Sequence, residues 1–454
     1  MRRALQEAEA ARDAGEIPVG AVIVAGDRIV SVDGRPIAGV KMDRDSIMRL
    51  LRGPKNSKVV LGVVRRGVKA PLSFKVTRDK IPVNTVDAAY IIAPGIGYIH
   101  LERFGATSGK EVHDAIAKLQ GEGMEKLIFD LGVNGGGYLG AAVDVASEFL
   151  PGGSLVVYTQ GRTGKDSQLR ASSNGLFRKG GLAILVDEYT ASAAEIVSGA
   201  VQDHDRGVIV GRRTFGKGLV QRPVELPDGS MIRLTVSHYY TPSGRCIQAI
   251  DYSHSQEGSV RAVPDSLISE FTTRAGRKVY DGGGVMPDIA TDPEYISRFA
   301  LTLYALGFIE DFGDEYTRRN PGRQIDIRTF SITDKDYADF AEFMQDKKVP
   351  YESDTRRALK ALKKAAEDDR FADLKNKFEQ VEAELKDDTQ TNLETYRTQV
   401  VETINNDIVM RHGYQAGVIE HSLSGDKEVK KAVEVLGDPA EYARITREQD
   451  TKRK

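Results

Sequence analysis

The sequence predicts an α/β body with a central sheet, preceded by a small α+β domain and followed by a helical domain. Three observations carry that prediction. Apolar runs of strand length alternate with helical stretches between Ala88 and about Asp288. Short strands surround one helix between Gly26 and Thr77. Beyond Asp288 the pattern turns helical, and no proline stands between Pro350 and Pro439.

Taken in order, residues 1–25 form an atypical N-terminal segment, in which residues 2–14 read as a short amphipathic helix ended by Gly15 and followed by apolar Ile17–Val24. Residues 26–80 form the small domain: strand GDRIVSVDGRPI, helix DRDSIMRLLR, turn GPKNSK, and strands VVLGVVRRG and PLSFKV. Residues 81–330 form the α/β core. Its strands are IGYIHL, KLIFDL, SLVVYT, LAILVD, RGVIVG and MIRLTVSHYYT, and its helices span 109–120, 138–149 and 191–203. Residues 331–454 form the helical domain, where TRRALKALKKAAEDDRFADLKNKFEQVEAELK spaces apolar residues by three and four with charges elsewhere.

Composition removes several functions. With 454 residues, 40% of them hydrophobic and 29% charged, the chain suits a globular protein of about three domains. A net charge of −2 and the lack of a basic stripe argue against nucleic acid as a partner. The single cysteine, Cys246, allows no internal disulfide framework and no multi-cysteine zinc site, and the seven histidines form no His-Glu-x-x-His pair. No metal or organic cofactor is expected. The first twenty residues lack the apolar region of a secretory signal and no stretch approaches a membrane span, so the chain as written carries no address beyond the cytoplasm.

Chemistry concentrates in AILVDEYTASAAEIVSGAVQDHDRGVIVGRRTFGKGLVQ. A strand runs into a polar turn and then a helix whose first residues include Ser192. A serine there sits at the positive end of a helix dipole beside amides that lack helical partners and can hold an oxyanion. Taken alone, a serine at a helix start is usually a cap. Lys217 follows in TFGKGLVQ, where Phe215, Leu219 and Val220 are expected to wall it off and Gly216 and Gly218 to let backbone approach. A desolvated lysine becomes a base able to take a hydroxyl proton. Gln221, four positions on, is expected to orient the amine by a hydrogen bond. The rival base His204 lies about 18 Å from Ser192 along a helix, which is too far. The run Gly135-Gly136-Gly137 follows a strand but lacks the Lys-Ser or Lys-Thr of a phosphate loop and the glycine spacing of a dinucleotide site.

The segments TASAAEIVSGAVQD and TFGKGLVQ, with upstream IFDLGVNGGGYLGAAVDVASEFL and downstream GRKVYDGGGVMPDI, resemble the motifs of the carboxyl-terminal processing peptidases, serine peptidase family S41. The resemblance covers roughly Gly26 to Asp288. It implies an S41-type core with Ser192 as nucleophile, Lys217 as general base and Gln221 in support. It further implies an oxyanion hole from the amides of Gly137, with Gly136 close behind, and Ala193. Departures stand at Gly132, Gly135, Thr190 and Ala194, where the family often has arginine, proline, serine and serine.

Residues 26–80 resemble the second half of a PDZ domain, a fold that adds a chain end as an extra strand. Helix Asp43–Leu51 would be one groove wall, with Ile47, Met48 and Leu51 either binding peptide or filling core. Residues 1–25 resemble the start of the adenosine deaminases that act on transfer RNA, without their His-x-Glu or Pro-Cys-x-x-Cys. The implied function is a serine endopeptidase cleaving unfolded or C-terminally presented polypeptides in the periplasm or bacterial cell envelope. Its partners are polypeptide substrates, with neither nucleic acid nor an integral membrane segment, and a homo-oligomer through the C-terminal helices is a further expectation. The alternative is a catalytically inactive, peptide-binding scaffold.

Overall fold

Continuous apolar runs such as LAILV and the LIF of KLIFD suit strands buried on both faces, which is where parallel sheets place them. The structure, a computed structural model, describes residues 27–65, 68–79, 84–161, 167–251, 261–262, 268–293, 297–385 and 388–446. The expected N-terminal segment 1–25 lies outside the described residues. The chain divides into two units, Asn84–Pro293 with Ser422–Lys454, and Met1–Val83 with Glu294–His421.

The first unit is the α/β body. Strands β5 (Val86–Ala93), β6 (Ile96–Leu101), β7 (Lys126–Asp130), β10 (Leu182–Val186), β11 (Val208–Gly211) and β14 (Ile289–Ala290) form a six-stranded sheet in the order β14-β11-β10-β7-β6-β5. All its pairings are parallel except β5 with β6. Helices α2 (Ser108–Gly121), α3 (Leu139–Phe149) and α4 (Ala193–Asp203) supply the apolar cover. β8 (Leu155–Gln160), β9 (Ser167–Arg170), β12 (Leu219–Glu225) and β13 (Met231–Tyr240) form a separate antiparallel sheet, order β12-β13-β8-β9. The expected strands SLVVYT and MIRLTVSHYYT therefore stand outside the central sheet.

At its C-terminal end this unit takes back two helices, α12 (Lys427–Gly437) and α13 (Pro439–Thr446). Val429, Ala432, Val435 and Leu436 of α12 are buried, and α12 packs on β7, β10 and β11. The Tyr442 hydroxyl accepts from the Leu182 amide at 3.0 Å and reaches the Leu182 and Arg206 carbonyls at 3.3 Å each.

In the second unit, β1 (Asp27–Val32), β2 (Arg35–Pro36), β3 (Lys58–Arg65) and β4 (Leu72–Thr77) form a sheet in the order β2-β1-β3-β4, with helix α1 (Arg44–Leu51) following the hairpin. The expected single strand GDRIVSVDGRPI folds back on itself at Asp33-Gly34, both at positive φ (48° and 79°), the hairpin-turn geometry such a pair favours. Val32, Val59, Leu61 and Val63 are its core, against which Leu51 of α1 packs. Ile47 and Met48 are half-buried and lie outside that cluster. Asp43 is the N-cap of α1, accepting from the Ser46 amide at 2.8 Å.

The same unit holds helices α5 (Arg298–Ala305), α6 (Phe308–Arg319), α7 (Asp334–Phe343), α8 (Asp354–Asp368), α9 (Lys375–Glu384), α10 (Thr389–Thr395) and α11 (Arg397–Ser422). α11 is interrupted at Tyr414 (φ 55°). Their core gathers Phe299, Leu303, Phe312, Phe340, Ile404 and Ile408. The expected limits 81–330 and 331–454 cut across the two units: 294–330 group with these helices and 422–454 with the α/β body.

Candidate active site

Ser192 is the N-cap of α4 and adopts φ 58°, ψ −115°, a backbone state that costs a non-glycine residue of order 1–3 kcal/mol and persists only when its surroundings hold it. The holding groups begin five residues earlier. The Asp187 carboxylate accepts the amides of Tyr189 and Thr190, each at 2.9 Å, and that of Val133 at 2.9 Å. The Thr190 hydroxyl donates to the Leu131 carbonyl at 2.8 Å, and the Phe215 amide donates to the Thr190 carbonyl at 3.0 Å. One turn after β10 thus ties the loop after β7 to the loop after β11.

Glu195, in the first turn of α4 and fully buried, completes the frame. Its Oε2 accepts the amides of Ser192 (2.7 Å) and Lys217 (2.9 Å), and its Oε1 accepts the Gly216 amide (2.7 Å) and the Thr214 hydroxyl (2.5 Å). Burial pushes the Glu195 carboxyl up, against the pull of these donors. Tyr239 of β13 is also buried, and its hydroxyl donates to the Lys217 carbonyl. Burial holds that phenol well above its ordinary range, the Glu195 charge adds to this, and the neighbouring Ser192 hydroxyl opposes it. Glu195 and Tyr239 escaped the sequence reading. Ser192-x-x-Glu195 is a capping-box spacing that signals the first; nothing local signals the second.

The expected wall around Lys217 is absent, and the reason is alternation. Burial alternates along residues 214–218, with Thr214, Gly216 and Gly218 buried and Phe215 and Lys217 exposed. Thr214, Gly216 and Gly218 face inward, where a Cβ on Gly216 would fall 2.4 Å from the Ala249 Cβ and one on Gly218 2.8 Å from the Gln248 amide. Phe215 and Lys217 share the outward side; Phe215 is 51% exposed and Lys217 is exposed as well. Gln221 lies on β12 opposite Thr235, past a bulge, with its side chain exposed. His204 caps the C-terminus of α4 and its Nε2 pairs with the Leu155 carbonyl at 2.7 Å, a structural role.

The glycine run packs on the nucleophile turn. Asn134 fixes it: its carbonyl accepts the Ala191 amide at 2.9 Å, its side-chain oxygen the Gly136 amide at 2.8 Å, and its side-chain nitrogen donates to the Leu101 carbonyl at 2.6 Å. Gly136 (φ 94°) is buried so close to the turn that a Cβ would stand 2.6 Å from the Ala191 carbonyl oxygen, 2.8 Å from the Ser192 Cβ and 2.9 Å from the Ala193 nitrogen. Gly137 (φ 150°) lies against Phe104, whose carbonyl accepts the Tyr138 amide at 2.9 Å. Among the described residues, the amides of Gly137 and Ala193 donate to no protein acceptor.

Residues 95–254 match the sequence profile of peptidase family S41, and residues 299–436 match that of the probable PDZ-protease, C-terminal helical domain. The carboxyl-terminal-processing protease of Synechocystis sp. is 40% identical over 247 residues, 54% of this chain and 55% of that protein. The carboxy-terminal-processing protease of Bartonella bacilliformis is 36% identical over 233 residues, 50% and 52%. Among solved structures, the photosystem II D1 C-terminal processing protease is 30% identical with a TM-score of 0.36, covering 60% of this chain and 64% of that one. The chain spans about half the length of the curated relatives it matches. The match to peptidase family S41 falls within the α/β body, and no helix among the described residues is long and apolar enough to cross a membrane.

Proposed function

We propose that this chain, whose residues 95–254 match peptidase family S41, is a serine endopeptidase in which Ser192 attacks a peptide carbonyl and Lys217 takes the hydroxyl proton. The observation that carries this reading is the shared carboxylate of Glu195, which fixes the backbone of both residues to one oxygen. The free amides of Ala193, against which Gly136 packs, and of Gly137, the next residue of the glycine run, are suited to hold the oxyanion of the tetrahedral intermediate. Protonated Lys217 then donates to the leaving amine, and water hydrolyses the acyl-enzyme. Gln221 supports the amine from β12 in this reading, and unfolded or C-terminally presented polypeptides are the substrates.

The periplasm or bacterial cell envelope is the site of action in this reading. Ile47, Met48 and Leu51 of α1 line the peptide groove of the PDZ-like domain, and the C-terminal helices serve a homo-oligomer. The test is hydrolysis of an unstructured protein. Ser192→Ala and Lys217→Ala are each expected to abolish cleavage with the fold retained, and Gln221→Ala to reduce it less. Wild-type cleavage by either of the first two variants would overturn the assignment of Ser192 and Lys217, and no cleavage by the unmodified chain would favour the reading as an inactive peptide-binding scaffold.

A further inference from the structure

Arg212 directly follows β11, and its side chain is only 21% exposed. Its Nε donates to Glu188 Oε2 at 2.5 Å, its Nη1 donates to Glu428 Oε1, and its Nη2 lies 4.0 Å from Asp187 Oδ2. Its own amide donates to the Val186 carbonyl at 3.0 Å. Asp187 and Glu188 open the turn that delivers Ser192, and Asp187 also accepts the Val133 amide of the glycine-rich loop. Glu428 belongs to a different part of the chain, the first turn of α12, where it also accepts the Thr291 hydroxyl at 2.8 Å.

These contacts fasten the C-terminal helices to both ends of β10. Tyr442 grips Leu182 where the strand begins. Glu428 reaches the turn where the strand ends, through Arg212. Two carboxylates meeting one planar guanidinium from different edges fix its orientation, which a single exposed ion pair does not do. The pair is shielded, with Glu428 15% exposed. The apolar residues of α12 supply the docking energy, so the ionic link is left to set register rather than to hold the helix on.

We propose that Arg212 and Glu428 are positioning residues for the peptidase reaction, through which the C-terminal helix sets the placement of the Ser192 turn and the glycine-rich loop. The inference rests on the endopeptidase reading. It makes the helix at 427–437 part of the catalytic unit.

The experiment uses the full chain. Cleavage of an unstructured protein and the rate at which a fluorophosphonate labels Ser192 are first compared with Ser192→Ala; absence of any Ser192-dependent reaction would overturn the endopeptidase reading itself. Given that reaction, Glu428→Ala and Arg212→Ala are expected to lower kcat about tenfold or more and to slow labelling in parallel, with KM within about twofold, as a displaced turn requires. Glu428→Gln, which keeps an acceptor for the guanidinium, is expected to recover most of the loss. Tyr442→Phe loosens the helix at the far end of β10; it is expected to lower the melting temperature at least as much as Glu428→Ala while kcat stays within about twofold. The inference is overturned if Glu428→Ala cleaves and labels at wild-type rates, if Glu428→Gln recovers nothing, or if Tyr442→Phe lowers kcat as far as Glu428→Ala does.

Discussion

The backbone amides of Ser192 and Lys217 donate to one and the same oxygen, Oε2 of Glu195, at 2.7 and 2.9 Å. Two segments that carry the proposed proton transfer are therefore set against each other by a buried carboxylate that need not touch substrate. Glu195→Gln keeps the shape but turns one acceptor oxygen into a donor facing donors. Its expected effect is a kcat loss of about 10²-fold, with slower labelling of Ser192 in a protein that still melts cooperatively. Protonation of Glu195 imposes the same mismatch. Because burial raises this carboxyl, the acid limb of the kcat profile is expected above the pH of an ordinary carboxylate. A Glu195→Gln enzyme as fast as wild type would remove Glu195 from the site.

Much of this arrangement is legible in the residues, and the remainder fails for identifiable reasons. Strands Lys126–Asp130 and Leu182–Val186 announce themselves by the apolar runs LIF and LAILV, and the three helices that cover them lie within two residues of their expected ends. Ser192 and the glycine run sit where strand-to-turn punctuation puts them. The environment of Lys217 does not follow from the apolar residues beside it in sequence, because burial alternates there: Gly216 and Gly218 take the inner side, and Phe215 is exposed with Lys217 instead of enclosing it. Tyr239 and Glu428 were invisible because a side chain reaching across 22 or 216 residues leaves no trace in local periodicity. The amphipathic pattern of 427–437 predicts a helix but cannot name the surface that buries it.

The glycine run divides into positions with room and positions without. A Cβ on Gly135 meets nothing within 4 Å, whereas one on Gly136 or Gly137 collides with the Ala191 or Phe104 carbonyl at 2.6 or 2.0 Å, and both of those residues hold positive φ. Gly135→Ala is expected to cleave within about threefold of wild type, and Gly136→Ala and Gly137→Ala to lose about 10²-fold or more in kcat, the scale seen when an oxyanion donor is lost or displaced. Equal rates across the three variants would show that the loop takes no part in catalysis.

His100 gives the α/β body a pH dependence. Burial pulls its imidazolium down, but the Asp87 hydrogen bond (2.5 Å), the Asp130 charge and the Gly132 carbonyl outweigh this and push it up to about 9. A histidine raised in the folded state binds its proton more tightly there than when unfolded. Its contribution is therefore fully present below about pH 6.5 and is lost as pH rises through about 9. The wild type is expected to lose about 2–3 kcal/mol between pH 6 and 10 from this group, and Asp87→Asn to flatten that fall. Parallel urea titrations at both pH values measure it, and an unchanged slope in Asp87→Asn would separate His100 from the effect.

Arg245 supports the nucleophile helix from its far end. The side chain is fully buried, and its Nη2 donates to Asp203 Oδ1 at 2.9 Å and to Gln202 Oε1 at 2.7 Å, the last two residues of α4. Asp203, itself fully enclosed at its side chain, also accepts the Ser243 amide at 2.9 Å. Removing the guanidinium leaves a buried carboxylate with one neutral donor, a loss of about 3–5 kcal/mol for breaking one side of a buried pair. For a body of this size that is roughly 10 °C in melting temperature. Arg245→Ala is therefore expected to melt early yet, well below its transition, to label Ser192 at close to the wild-type rate, since the pair acts on the helix end opposite the serine. Arg245→Met with Asp203→Leu removes both charges together and is expected to recover part of the loss. Calorimetry of the three chains decides it: a fall below about 1 kcal/mol for Arg245→Ala would show that the charge carries little of the fold.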